Sequence, residues 1–71
     1  MNVTPPQQGR AISLAGVRNA TSLSAATIWR FLHDDPTFPR SFKLGSRTCW
    51  DEDEILAWVA AKKAASRRVA A

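Results

Sequence analysis

Cys49 and His33 are the only cysteine and the only histidine in the chain, so no zinc ligand set can be assembled from them. As a nucleophile Cys49 has no base at a recognisable spacing, and as a lone thiol it has no partner for an internal disulfide. A strand-packing role in a reducing compartment is the expectation. The run Asp51-Glu52-Asp53-Glu54 brings carboxylates together, as general acid–base chemistry requires. Consecutive positions at a helix start point in different directions around the axis, however, and cannot face one substrate. Their natural use is to cap a helix and complement its dipole. No phosphate loop or nucleophile–base pair is present, so neither an enzyme nor a cofactor site is expected. The remaining chemistry belongs to the cations. Arg30, Lys43 and Arg47, with the small residues Ser24, Ala25, Ala26, Thr27 and Ser46 near them in sequence, have the right types to meet phosphates and base edges.

Composition limits what can position these groups. The chain has 71 residues, and 12 of its apolar residues are alanines, leaving 20 larger apolar side chains. That suffices for one small domain and is too little to enclose a deep substrate cavity. Ten Lys and Arg against six Asp and Glu give a formal charge of +4. Four of the six acids lie at 51–54, so the rest of the chain sets ten cations against two acids. Such a balance points to a polyanion, with nucleic acid ahead of an anionic membrane. The longest apolar run, Ile55 to Ala61, is far too short to span a bilayer, and no signal peptide precedes it. A cytoplasmic, nucleoid-associated protein is expected.

Along the chain, residues 1–10 are polar with Pro5-Pro6 and Gly9 and read as a flexible arm. Residues 11–63 form the folded domain, and 64–71 a frayed basic tail. Helix starts are marked by Ser13, Ser24 and Asp51. Each follows an apolar residue (Ile12, Leu23, Trp50) that can staple onto another four positions beyond the cap (Val17, Ile28, Ile55), and Glu54 completes a capping box with Asp51. The first helix covers Leu14 to Ala20. The second runs from Ala25 to about His33, buries Ile28, Phe31 and Leu32, and stops at Asp34-Asp35-Pro36. Ala26, Arg30 and His33 lie on its opposite face, with Trp29 between the two. Strands over Ser41–Leu44 and Thr48–Trp50 follow. A two-residue turn, Gly45-Ser46, would set Trp50 opposite Ser41, away from Phe42 and Leu44. The three-residue loop Gly45-Ser46-Arg47 is preferred, since it sets Leu44 opposite Thr48 and Phe42 opposite Trp50 and gathers the large apolar groups on one buried face. Lys43 and Cys49 then point outward and Arg47 occupies the tip. A third helix runs from Glu52 to about Lys63, with Ile55, Trp58 and Val59 inward.

Two short helices joined by a tight turn, then a hairpin with a basic tip, then a packing helix, is the order of an α+β fold: a small winged helix-turn-helix with three helices and a two-stranded β-hairpin wing. Such a second helix can approach the major groove closely through its small N-terminal residues, and the hairpin can track the neighbouring minor groove or backbone. The pieces Thr21-Ser22-Leu23-Ser24, Thr27-Ile28-Trp29-Arg30, Phe38-Pro39, Phe42-Lys43-Leu44-Gly45, Arg47, Trp50 to Ile55 and Trp58 resemble the AlpA-type phage regulators and lambda-type excisionases, whose winged helices relate to the MerR DNA-binding domain. The resemblance implies double-stranded DNA as partner, with Ala26, Arg30 and His33 in the major groove and Lys43, Ser46 and Arg47 on the wing. It implies an accessory protein of a mobile element: an excisionase (recombination directionality factor) that bends attachment-site DNA for a tyrosine-type integrase, or an AlpA-like regulator at a promoter. Cooperative self-association on DNA is expected in either case. A module that docks an integrase through protein contacts alone is the competing class.

Each residue also has a structural use. Arg30 can pair with Asp34, four positions on. Lys43 and Arg47 can protect a strand edge. His33 can serve as a cation at a helix C-terminus.

Overall fold

The three staples become the core. Ile12, Val17, Ile28, Trp50 and Ile55 are buried together with Phe38, and Leu23 packs against them. The helix-start signals are therefore also the long-range packing signals, because each apolar residue before a cap docks into the same cluster. The computed structural model describes residues 10–70, with side chains through Arg67. Apart from Arg10, the expected arm lies outside the described residues, as do Ala71 and the side chain of Arg68.

The elements are β1 (Ala11–Ile12), α1 (Leu14–Thr21), α2 (Ala25–Asp34), β2 (Phe42–Leu44), β3 (Arg47–Asp51) and α3 (Glu52–Ala70). The fold is α+β, with three helices and an antiparallel hairpin, as a winged helix-turn-helix requires. The sheet holds one strand more than expected. Its order is β1-β3-β2, and β1 pairs Ile12 with Trp50 and Ala11 with Asp51.

That extra strand overturns the expected register of the wing. Ile12 and Trp50 are opposed on one face, so Trp50 is committed to the core side. In the hairpin Phe42 pairs with Cys49, Lys43 with Thr48 and Leu44 with Arg47, around the two-residue turn Gly45-Ser46. Phe42 therefore falls on the face opposite Trp50, because a one-residue slip turns β2 over relative to β3. Gly45 has φ 63° while Ser46 stays negative, as the first and second central residues of a II′ turn do. The consequences contradict the sequence expectation in three places: Phe42 and Leu44 are exposed, Cys49 is buried, and Arg47 begins β3 instead of capping the tip.

Two of the three expected caps form, at Ser24 and Asp51, and the third, at Ser13, does not. Asp51 Oδ1 accepts from the backbone N–H of Asp53 at 2.8 Å and of Glu54 at 3.3 Å. Ser13 stands extended before α1, but its side chain makes no capping bond. α3 runs on to Ala70, past the expected end at Lys63, through an alanine-rich stretch of high helix propensity. Residues 64–67 of that extension are all exposed.

Gly16 lies on α1 with its α-carbon against β1. A Cβ added there would stand 2.8 Å from Ile12 Cβ. Ile12 is held by its strand pairing and by Trp50, so it has little room to yield. Gly16→Ala is expected to destabilise the fold by about 1–3 kcal/mol, against the gain of about 1 kcal/mol that alanine usually brings to a helix interior. A urea denaturation midpoint measures this.

The back of α2 is tied to α3 through the Asp35–Thr37 linker. Phe31, Phe38 and Trp58 form an aromatic trio with centroids 5.0–6.1 Å apart. Trp58 Nε1 donates to Thr37 Oγ1 at 3.3 Å, and Lys62 Nζ lies 3.7 Å from Asp35 Oδ2. The Thr37 hydroxyl and backbone N–H both donate to Asp35 Oδ1, and with Lys62 nearby they hold this carboxyl below its ordinary range. A carboxyl with a depressed folded-state pKa contributes stability above its unfolded value and loses it as pH falls through the folded one. Stability is therefore expected to hold through neutral and mildly acidic pH and to decline below about pH 4. Asp35→Asn should flatten that decline in denaturation curves recorded across the acid range.

Candidate nucleic-acid interface

The turn between α1 and α2 is built from its hydroxyls. Thr21 Oγ1 donates to Val17 O at 2.7 Å and accepts from the Leu23 N–H at 3.2 Å. Ser22 closes α1 in the left-handed region at φ 64°, its N–H donating to Arg18 O at 2.7 Å. Glycine usually takes that conformation. Ser24 then caps α2, its hydroxyl oxygen accepting from the Thr27 N–H at 3.2 Å while its O–H donates to Thr27 Oγ1 at 3.0 Å.

This capping pair decides which of the α2 residues are free to read a surface. Ser24 and Thr27 spend hydrogen-bonding capacity on each other, and Ala25 is half-buried. Ala26, Arg30 and His33 are exposed, and their i, i+4, i+7 spacing puts them on one face of α2. Arg30 makes no ion pair among the described residues, and its guanidinium lies 6.0 Å from the Phe31 centroid. Asp34, the alternative partner for Arg30, instead accepts His33 Nδ1 at 2.8 Å. Trp29 is 43% exposed and tilts against Trp50 at 5.7 Å between centroids, so it borders the exposed face while anchoring it to the core.

On the wing, Lys43, Ser46 and Arg47 are all exposed. The register places Lys43 and Thr48 on one side of the hairpin, where Lys43 Nζ donates to Thr48 Oγ1 at 2.8 Å. Arg47 falls on the other side with Leu44. The two cations therefore flank the hairpin from opposite faces and do not form one flat patch. No acid lies between Asp35 and Asp51, so residues 36–50 carry only the cations Arg40, Lys43 and Arg47.

Sequence reasoning passed over two cations here. Arg40 donates from Nη2 to the backbone oxygen of Leu32, satisfying a carbonyl in the last turn of α2. Its contribution is to fix the end of the helix that carries Arg30, and only the reversal of the chain after Pro39 brings it there. Arg18 is exposed in the last turn of α1, beside Asn19 and Ser22. A cation beside the predicted turn was the available signal.

Chemically, the arrangement offers hydrogen-bond donors and positive charge on convex surfaces. Among the described residues no group of His, Cys, Asp or Glu is placed to hold a metal ion, and no helix is long and apolar enough to cross a membrane. A protein-family model described as Prophage CP4-57 regulatory protein (AlpA) matches residues 10–63. No curated protein and no solved structure matches the chain significantly.

Proposed function

Since the chain belongs to the AlpA family of prophage regulatory proteins, we propose that it binds double-stranded DNA with α2 in the major groove and the β2–β3 wing against the minor groove and backbone. The observation that carries this is that the exposed cations Arg30, Lys43 and Arg47 make no ion pair among the described residues and sit on two elements that a helix-turn-helix presents to DNA. In the major groove Arg30 donates to phosphate or to a guanine O6/N7 edge. Ala26 offers a methyl contact, and His33, oriented by Asp34, a further donor or acceptor. Ser24, Ala25 and Thr27 shape the close approach of the helix N-terminus. Lys43, Ser46 and Arg47 hold the wing.

The biological role we infer is that of an excisionase, an accessory factor that bends attachment-site DNA so that a tyrosine-type integrase can excise the element. A domain of this size covers little DNA alone, so neighbouring copies bind cooperatively on clustered sites. The family's description as regulatory supports a second reading, control of a promoter. The DNA-facing residues are the same in both, so contacts do not separate them. An excision assay with the cognate integrase does: product that depends on this protein supports excision, and excision unchanged by its absence, with altered transcription from a bound promoter, supports regulation. Docking to the integrase without DNA contact is the reading both exclude, and it predicts no shift of any duplex by the protein alone.

A further inference from the structure

The wing carries two large apolar side chains where a soluble hairpin of this size has little reason to expose any. Phe42 is 40% and Leu44 54% exposed, although the alternation of the strands would have hidden both under the other register. Both lie on the same face of β2, an edge strand held only on its β3 side. Leu44 is the cross-strand partner of Arg47, and this pair directly flanks the turn Gly45-Ser46. The tip therefore presents an apolar side chain on one leg and a guanidinium on the other, on one face, with a two-residue turn between them.

We infer that the wing engages duplex DNA with an apolar wedge as well as with cations: Leu44, backed by Phe42, packs into the minor groove beside Arg47. This rests on the DNA-binding reading above and adds to it a residue and a mechanical consequence. The surrounding charge selects the occupant. With Arg47 beside Leu44, Lys43 on the other face of the hairpin and no acid between Asp35 and Asp51, a second copy of the same wing would set cations against cations, whereas a polyanion is complementary. The dimensions supply the consequence. Two paired strands stand about 4.8 Å apart before side chains are added, and the minor groove is about 6 Å wide. The hairpin tip cannot seat Leu44 and Arg47 together without opening the groove. Apolar side chains that open a minor groove partly unstack the base steps and bend the duplex toward the major groove. Arg47 neutralises the groove wall while Leu44 keeps it open.

The test uses the full chain and a dye-labelled duplex, the tightest sequence recovered from a randomised pool by the wild-type protein. Binding is read by titration and bending by energy transfer between the duplex ends. Leu44→Ser is expected to lose roughly tenfold in affinity, the scale of one well-packed apolar anchor, together with most of the bend. It should keep the wild-type salt dependence, since no phosphate contact is removed. Leu44→Met should retain both affinity and bend. Because Leu44 is exposed, the melting temperature serves as the check that each variant is folded. Wild-type binding and bending by Leu44→Ser would overturn the inference and leave DNA binding standing. Absence of any duplex binding by the wild-type protein would remove both. A change confined to the sedimentation of the free protein, or to its binding of anionic vesicles, would assign the patch to self-association or to a membrane and would equally overturn it.

Discussion

Trp50→Ala is expected to leave the domain largely unfolded at room temperature. Trp50 is fully buried and belongs to several packing relationships at once. It is the β3 partner of Ile12, the residue before the α3 cap that packs with Ile55, and the ring against which Trp29 tilts at 5.7 Å. Truncating a buried tryptophan costs about 3–5 kcal/mol. A single core of this size supplies no more than about 3–5 kcal/mol of net stability, so the loss consumes the whole margin. Trp50→Phe makes the useful contrast. The indole Nε1 is buried with no hydrogen-bond partner among the described residues, and an unsatisfied buried donor costs about 1–3 kcal/mol. Phenylalanine removes that donor as it gives up volume, and the two effects partly offset each other. Far-ultraviolet circular dichroism under urea should show Trp50→Phe folded, with a modestly shifted midpoint, and Trp50→Ala without a cooperative transition.

Arg30→Ala is the variant expected to damage DNA recognition most. The side chain is exposed and free of ion pairs among the described residues, so its removal should move stability by no more than about 0.5 kcal/mol. If it donates in bidentate fashion to a guanine edge, its loss costs about 1–3 kcal/mol of discrimination, roughly 5- to 150-fold. The preferred duplex and a scrambled one should then bind almost alike. Arg47→Ala should behave differently, weakening both duplexes by a similar factor and lowering the salt dependence by about one phosphate contact. Competition titrations with the two duplexes separate these patterns, because a specificity contact and a backbone contact change different ratios.

Much of the architecture was legible because its signals were local. Ser24 and Asp51 announce helix starts through their own capping oxygens, and Asp35-Pro36 ends α2 through the steric effect of proline on the residue before it. The face of α2 that carries Ala26, Arg30 and His33 follows from helical periodicity alone. The register of the wing did not follow, for a non-local reason. Grouping Phe42, Leu44 and Trp50 on one face is sound when a hairpin is considered by itself. Trp50 is claimed instead by Ile12, 38 positions earlier in the sequence, and a two-residue strand with no sequence pattern of its own makes that claim. The same oversight hid the exposure of Leu44, the burial of Cys49 and the placement of Lys43 and Arg47 on opposite faces. From sequence the third helix should fray after Lys63, because its alanines bring little apolar weight; it continues to Ala70 on their helix propensity. The role of Arg40 depends on a carbonyl eight residues back that only the folded linker brings within reach.

On the proposed reading, this domain grips the DNA backbone through the cations of α2 and the wing. Equilibrium titration of the wild-type protein against one duplex over a range of salt concentrations tests it most directly. With about four to six phosphates neutralised, the logarithm of the binding constant should fall linearly with the logarithm of salt concentration, with a slope of roughly −4 to −5. A slope near zero, or no measurable association even at low salt, would contradict it.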